Sequence, residues 1–219
     1  MNILSDYINH DFKPLDGKDT IASAQDFFID VTFSHFPVVE NGIFVGNVSA
    51  EDIDGFDFSK NLSEYKYTFE GFFTRANSVL LDVLDDFAKN ESNIIPVLDE
   101  NNNYIGYYKL EDVIRVFNET PFLKELGGII IIEKEINSYS FSQIAQIIEG
   151  NNGKFLGAFI SNIEAERVQI TVKIGEGSLN EIIQTFRRYE YEIISKHQED
   201  DYLKTLKDRS DYLDKYLNI

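Results

Sequence analysis

Apolar and polar positions along this chain follow one pattern twice, then change to another. Asp19 or Thr20 can cap a helix in which Ile21, Ala24, Phe28 and Val31 recur at three- and four-residue spacing, the mark of one apolar face. Phe36, Val38 and Val39 then lead into Asn41-Gly42, a dipeptide that tolerates positive φ and signals a hairpin, and Ile43 to Val48 returns as the second strand. Ser49 opens a short helix. Fifty-nine residues on, the order begins again, with a helix over Val79 to Phe87, a strand over Ile94 to Leu98, an Asn-rich turn at Asn101 to Asn103, a strand over Tyr104 to Tyr108 and a helix over Glu111 to Phe117. Ile21 pairs with Leu80, Ala24 with Val83, Phe28 with Phe87 and Pro37 with Pro96. One residue inserted in the second turn then brings Val45, Gly46 and Asp52 onto Ile105, Gly106 and Asp112. Each copy reads as a βαββα unit. A unit of this kind buries its apolar face against its twin, which places a pseudo-symmetric cleft between the copies. The stretch 54–75 between them is a polar and aromatic connector without a clear period.

After Pro121 the pattern changes. Gly127-Gly128 breaks the chain before Ile129 to Glu133, an apolar run suited to a strand buried on both faces. The order that follows is strand 129–136, helix 140–149, strand 154–163, strand 167–174, helix 178–189 and strand 190–195, the βαββαβ order of a ferredoxin-like fold. Ser140 with Gln143 and Ser178 with Glu181 each have capping-box spacing, so both helix starts are explained without a ligand. Gly175-Glu176-Gly177-Ser178 lacks the third glycine and the setting of a dinucleotide loop, and reads as a tight turn. Beyond 195, Tyr202, Leu203, Leu206, Leu213, Tyr216 and Leu217 fall near heptad spacing in a short charged helix, suited to docking on its own domain or a second subunit. The expected organisation is an α+β (α/β) chain of three parts. Residues 1–126 hold the paired repeats, divided at about 60/61, residues 127–195 the ferredoxin-like domain, and residues 196–219 the amphipathic helix.

Charge narrows the functions this chain can have. It carries 20 Lys and Arg against 38 Asp and Glu, a formal charge of -18. The repeat region holds 9 basic and 23 acidic side chains, the remainder 11 and 15. Such a surface repels phosphate backbones and anionic lipid, which argues against nucleic acid or membrane as partner. With no Cys there is no disulfide and no thiolate metal site, compatible with a reducing cytoplasm, and neither a basic leader nor a membrane-length apolar run is visible. His10, His35 and His197 are scattered, and no nucleophile elbow or H-E-x-x-H pair exists, so a catalytic reading has little support. Asp82, Asp85 and Asp86 suit the wet face of a helix better than a metal-dependent hydrolase.

The strings Ser34-His35-Phe36-Pro37-Val38-Val39-Glu40 and Val45-Gly46-Asn47-Val48-Ser49-Ala50-Glu51-Asp52 resemble a CBS domain, and Ser92 to Asp99 with Ile105-Gly106 and Asp112 resembles its partner. The resemblance covers about half the chain. It implies that Asp52 and Asp112 bind a ribose hydroxyl pair, and that Ser49 helps hold the ribose or phosphate of an adenosine compound at a helix start. Ser49-x-x-Asp52 is equally a capping pattern, and both readings stand. Lys109 occupies the place of the expected Ser or Thr in copy two, where it either reaches a phosphate or is a solvated strand-end lysine. His35, two residues before Pro37, stands where the family often has a phosphate-binding base; it is either that or a structural histidine. Ile94 holds the same place in copy two and cannot serve. Thr20 at the start of the first long helix completes the candidates.

The last domain is similar to an ACT domain, a fold that often binds amino acids between paired subunits, although its loop Asn137-Ser138-Tyr139-Ser140-Phe141 lacks the glycine such domains commonly use. A CBS pair followed by an ACT-like domain is similar in architecture to the acetoin utilization B-like proteins. These resemblances imply a cytoplasmic, non-enzymatic regulator that senses AMP, ADP, ATP or S-adenosylmethionine as a regulatory ligand, needs no cofactor or metal, and forms a homodimer, with room for a further protein partner. Missing basic side chains favour a nucleoside or monophosphate over ATP. The alternative is a dimerising scaffold whose pockets bind nothing.

Overall fold

The computed structural model describes residues 4–195, so the helix expected over 196–219 lies outside the described residues. Within the described residues the chain divides into two compact units, with the boundary between Thr120 and Pro121. In the first, α1 (Ile21–Asp30) is followed by the hairpin β1 (His35–Glu40) and β2 (Ile43–Ser49) and by α2 (Ala50–Gly55). The second copy runs β3 (Thr74–Arg75), α3 (Leu80–Lys89), β4 (Ile94–Leu98), β5 (Tyr104–Lys109) and α4 (Leu110–Asn118). Asn41 and Gly42 both have positive φ, 53° and 84°, as the hairpin signal requires. The first strand of each copy is much reduced. In copy two it is β3, parallel to β4 with Thr74 beside Val97, and in copy one it is the single bridge of Leu15 to Val38.

Two apolar cores result. Ile21, Ala24, Phe36, Val38, Val48 and Ile53 fill the first, and Val83, Phe87, Ile95, Val97, Val113 and Val116 the second. Ile94 and Tyr107 of copy two bury themselves in the core of copy one, so the repeats are welded rather than merely adjacent. The connector, aperiodic in sequence, is fixed by long-range pairing. Leu62 is fully buried within a 3-10 turn over Leu62–Thr68, and Glu70 exchanges backbone hydrogen bonds with Asn47 at 2.7 and 2.8 Å. On the other copy Asn9 does the same with Tyr107, at 2.7 and 3.2 Å. These crossings explain the repeated glycine. A Cβ on Gly46 would stand 2.8 Å from Phe69 Cβ, and one on Gly106 would stand 2.8 Å from the Asn9 carbonyl oxygen, with φ of 156° and 145°.

The second unit begins with α5 (Pro121–Lys124) and continues β6 (Gly128–Glu135), α6 (Phe141–Gly150), β7 (Phe155–Glu164), β8 (Arg167–Ile174), α7 (Leu179–Arg188) and β9 (Glu192–Ile193). Its antiparallel sheet has the order β7-β8-β6-β9, the ferredoxin-like topology. Ile144, Ile147, Ile148, Ile182 and Phe186 from the two helices pack on Ile130, Ile132, Ile170 and Val172 of the sheet. The last strand is shorter than the run 190–195 because Glu190, at φ 63°, and Tyr191, whose N–H donates to the Phe186 carbonyl, still belong to the turn that ends α7. Neither capping box forms in full. Ser140 Oγ accepts from Gln143 N–H at 3.4 Å, but the Ser140 N–H donates to the Tyr191 hydroxyl at 3.3 Å rather than to Gln143. Ser178 makes no side-chain capping bond.

Candidate functional site

The start of α2 is built by its sequence. Ser49 Oγ accepts the Asp52 N–H at 3.0 Å, supplying the cap that an α-helix start lacks, and Ala50 N–H donates to the Ser34 carbonyl at 2.8 Å. This ties α2 to the seam between the copies. There Ser34 and Asn93, which the repeat makes equivalent, bond reciprocally: Ser34 N–H donates to Asn93 Oδ1 at 2.9 Å and Asn93 N–H to Ser34 Oγ at 3.1 Å. Beside the seam lies a cleft of about 660 Å³ lined by Ser34, His35, Ser49, Asp52, Glu70 and Glu91, together with Ala50, Glu51, Lys89 and Asn90. Three sequence candidates, His35, Ser49 and Asp52, therefore meet in one place.

Their states differ. The Asp52 carboxylate, partly buried, has no hydrogen-bond or ion-pair partner among the described residues, so both oxygens are open to a ligand. His35 is already engaged on both ring nitrogens, with Nδ1 2.9 Å from Ser34 Oγ and Nε2 3.1 Å from Glu70 Oε1. A carboxylate can only accept, so in its pair with an ionised Glu70 the His35 Nε2–H is the donor. The field in the cleft is negative. Glu51, Asp52, Glu70 and Glu91 face it, while Lys89 is ion-paired with Asp85 on its own helix. On α3, one turn before Asn90, burial raises the Asp86 carboxyl above its usual range.

The remaining candidates stand elsewhere. Lys109 sits at the start of α4 without a side-chain capping bond, its Nζ 3.1 Å from Asp11 Oδ2. Asp112 is 3.1 Å from Arg115 Nη1, one turn along the same helix. Thr20 Oγ1 accepts from Ser23 N–H at 3.2 Å and caps α1, away from the residues that line the cleft. Sequence reasoning did not single out Glu70, Glu91 or Lys89 as cleft residues. Glu70 arrives through the aperiodic connector, and the only sequence sign of it was a glycine at 46 that needs a close backbone neighbour. Among the described residues no group of three His, Cys, Asp or Glu is arranged to hold a metal, and no helix is long and apolar enough to cross a membrane.

These features define a pair of α/β repeats joined across a polar seam, and residues 4–56 and 72–119 match the CBS domain family. The chain carries tandem CBS domains. It is similar to an uncharacterized protein of Methanocaldococcus jannaschii, 28% identical over 134 residues that cover 61% of this chain and 51% of the relative. The chain thus spans about half the length of the curated relative it matches. Among solved structures it is similar to a CBS domain pair/ACT domain protein from Thermotoga maritima, with 20% identity, a TM-score of 0.48, and coverage of 53% of this chain and 96% of that one. CBSX2 in complex with AMP is similar at 18% identity and a TM-score of 0.46, covering 53% of this chain and 96% of that one.

Proposed function

We propose that this chain is a non-enzymatic regulator that binds an adenosine-containing ligand in the cleft at the start of α2. CBS domain pairs commonly bind adenosine nucleotides in a regulatory role, and are typically not enzymes. The observation that supports the reading is the uncommitted Asp52 carboxylate beside Ser49 in the cleft, whose two oxygens can accept from a hydroxyl pair. The negative lining favours adenosine or its monophosphate over ATP, because each added phosphate charge meets carboxylates without a free cation to offset them. Ligand binding would bias the arrangement of the repeats only through different affinity for two states. We also propose a homodimer assembled through helices: Val79, Leu81 and Ile114, on and beside α3 and α4, are large apolar side chains left more than half exposed.

A ligand-free scaffold is the second reading. It is favoured by the copy-two residues, since Lys109 and Asp112 are already paired with Asp11 and Arg115. Thermal-shift and calorimetric titration of the full chain with adenosine, AMP, ADP, ATP and S-adenosylmethionine separates the two, because a ligand bound by the native state raises its melting temperature. The sensor reading expects stabilisation by at least one compound, with AMP ahead of ATP in the absence of divalent cation. No shift with any of them would favour the scaffold.

A further inference from the structure

The repeat carries the geometry of the first cleft over to the second copy, and there the chain meets itself. Around the start of α2, Glu70 comes from the segment that pairs with Asn47. Around the start of α4 the same place is taken by the N-terminal segment, because Asn9 exchanges backbone hydrogen bonds with Tyr107, the counterpart of Asn47 in the repeat. Lys109 and Asp112 there replace Ser49 and Asp52, and the end of α1 replaces the end of α3, tied in by Asn93 Nδ2, which donates to the Thr32 carbonyl at 2.6 Å. The chemistry differs from that of the first cleft. Lys109 puts a cation at a helix start that no side chain caps.

The N-terminal segment takes up that chemistry itself. Lys109, only 20% exposed, has its Nζ 3.1 Å from Asp11 Oδ2. The next ring along, Phe12, lies edge-on to Phe27 and Phe33 with centroids 5.6 and 5.8 Å apart, and Phe33 in turn meets Tyr107 at 5.7 Å. Phe27 and Phe33 hold the places of Asp86 and Ser92 in the other copy, so this aromatic wall belongs to the second cleft alone. A carboxylate and a planar ring, adjacent in the chain, thus rest on a cation and an aromatic wall, the contacts that an aromatic anion would make. Backbone pairing anchors the segment at both ends. Asn9 is held by copy two, and Leu15 by copy one, where its N–H donates to the Pro37 carbonyl at 3.0 Å and its carbonyl accepts from Val39 at 2.8 Å. Between the anchors Asp11 is 64% exposed and Phe12 39%, so both contacts lie at the surface, where an ion pair is weak and a ligand can compete for it.

We propose that residues 10–14 are a strap that closes the second cleft with an internal competitor, in which Asp11 stands in for the phosphate of a nucleoside monophosphate and Phe12 for its base. A tethered group acts at an effective concentration on the order of mM, so the cleft opens only to a ligand that out-competes it. The inference rests on the reading of the pair as adenosine-binding, and concerns the copy that this reading leaves idle.

The test is an amide NMR titration of the isotope-labelled full chain with AMP, in which the start of α2 reports on the first cleft and the start of α4 on the second. Asp11→Asn combined with Phe12→Ala should bind AMP at Lys109 to Asp112 about tenfold or more tightly than the native chain does there, the factor expected of a strap closed about 90% of the time. Asp11→Asn alone, which keeps the Phe12 ring in place, should give part of that gain, and adding Lys109→Ala should abolish it. Amide positions unchanged outside residues 9–15 and the cleft establish that each variant is folded. Equal AMP affinity at the start of α4 in the native chain and both variants, including no binding in any of them up to about 10 mM, would overturn the strap, as would a gain that survives Lys109→Ala. Shifts at α2 without any gain at α4 would sink this inference and leave the first cleft standing, and a gain at α4 with α2 silent would do the reverse.

Discussion

Asp52 and Asp112 are the same residue of the repeat, yet their surroundings separate them. The Asp52 carboxylate has no partner among the described residues, whereas that of Asp112 is held by Arg115 at 3.1 Å. A ligand must displace that ion pair in copy two and displaces only water in copy one. Asp52→Ala should therefore weaken adenosine-ligand binding by about 1.5–3 kcal/mol, the range for a hydrogen bond to a charged group, and Asp112→Ala by clearly less. Calorimetry on both folded variants measures this, and equal losses would contradict the asymmetry. Sequence could name the two aspartates but not rank them on this ground, since the ranking depends on Arg115 and on what reaches the cleft from far along the chain. Glu70 is the clearest case. Nothing in its neighbours marks it, and it lines the cleft only because Asn47 pairs with it across the connector.

At the scale of elements, periodicity located the helices and hairpins to within a few residues because each of them buries one face, and burial is what the period records. It did poorly where pairing is non-local. The opening strands shrank to β3 and to the bridge at Leu15, and the connector gained its order from Leu62 and Glu70. Glycine held the missing information. Gly106 lies against the Asn9 carbonyl oxygen, which cannot swing away as a side chain can, so Gly106→Ala should cost about 1–3 kcal/mol in denaturant unfolding. A neutral result would mean that the crossing segment adjusts freely. Ser49 tests a different ambiguity. Its hydroxyl already accepts the Asp52 N–H, so Ser49→Ala should lower stability by about 1 kcal/mol whether or not a ligand is bound. A further loss of ligand affinity, compared at equal folded fraction, would assign Ser49 a binding role beyond its cap, and unchanged affinity would leave it a cap alone.

The whole first unit depends on tyrosines that join its two cores. Tyr107 is fully buried in the core built around Phe36, and Tyr108, its neighbour in β5, is fully buried in the core built around Val83. One strand thus sends consecutive rings into both halves. Burial pushes each of these phenols up from 10 to about 12, and raises Tyr104 as well. The folded state holds these protons more tightly than the unfolded state does. The stability they contribute is therefore fully present below pH 10, declines as the pH rises above it, and is lost as the pH passes through about 12. Because the rings belong to both cores, the loss should be cooperative across the repeats rather than confined to one. Alkaline titration monitored at about 295 nm for phenolate, beside circular dichroism, checks this. Of the 12 tyrosines in the chain, the buried ones should give a late phenolate fraction that appears only as secondary structure is lost. A single transition near pH 10 with unchanged dichroism would show that the two rings are open to solvent, and that the seam between the copies is looser than its packing implies.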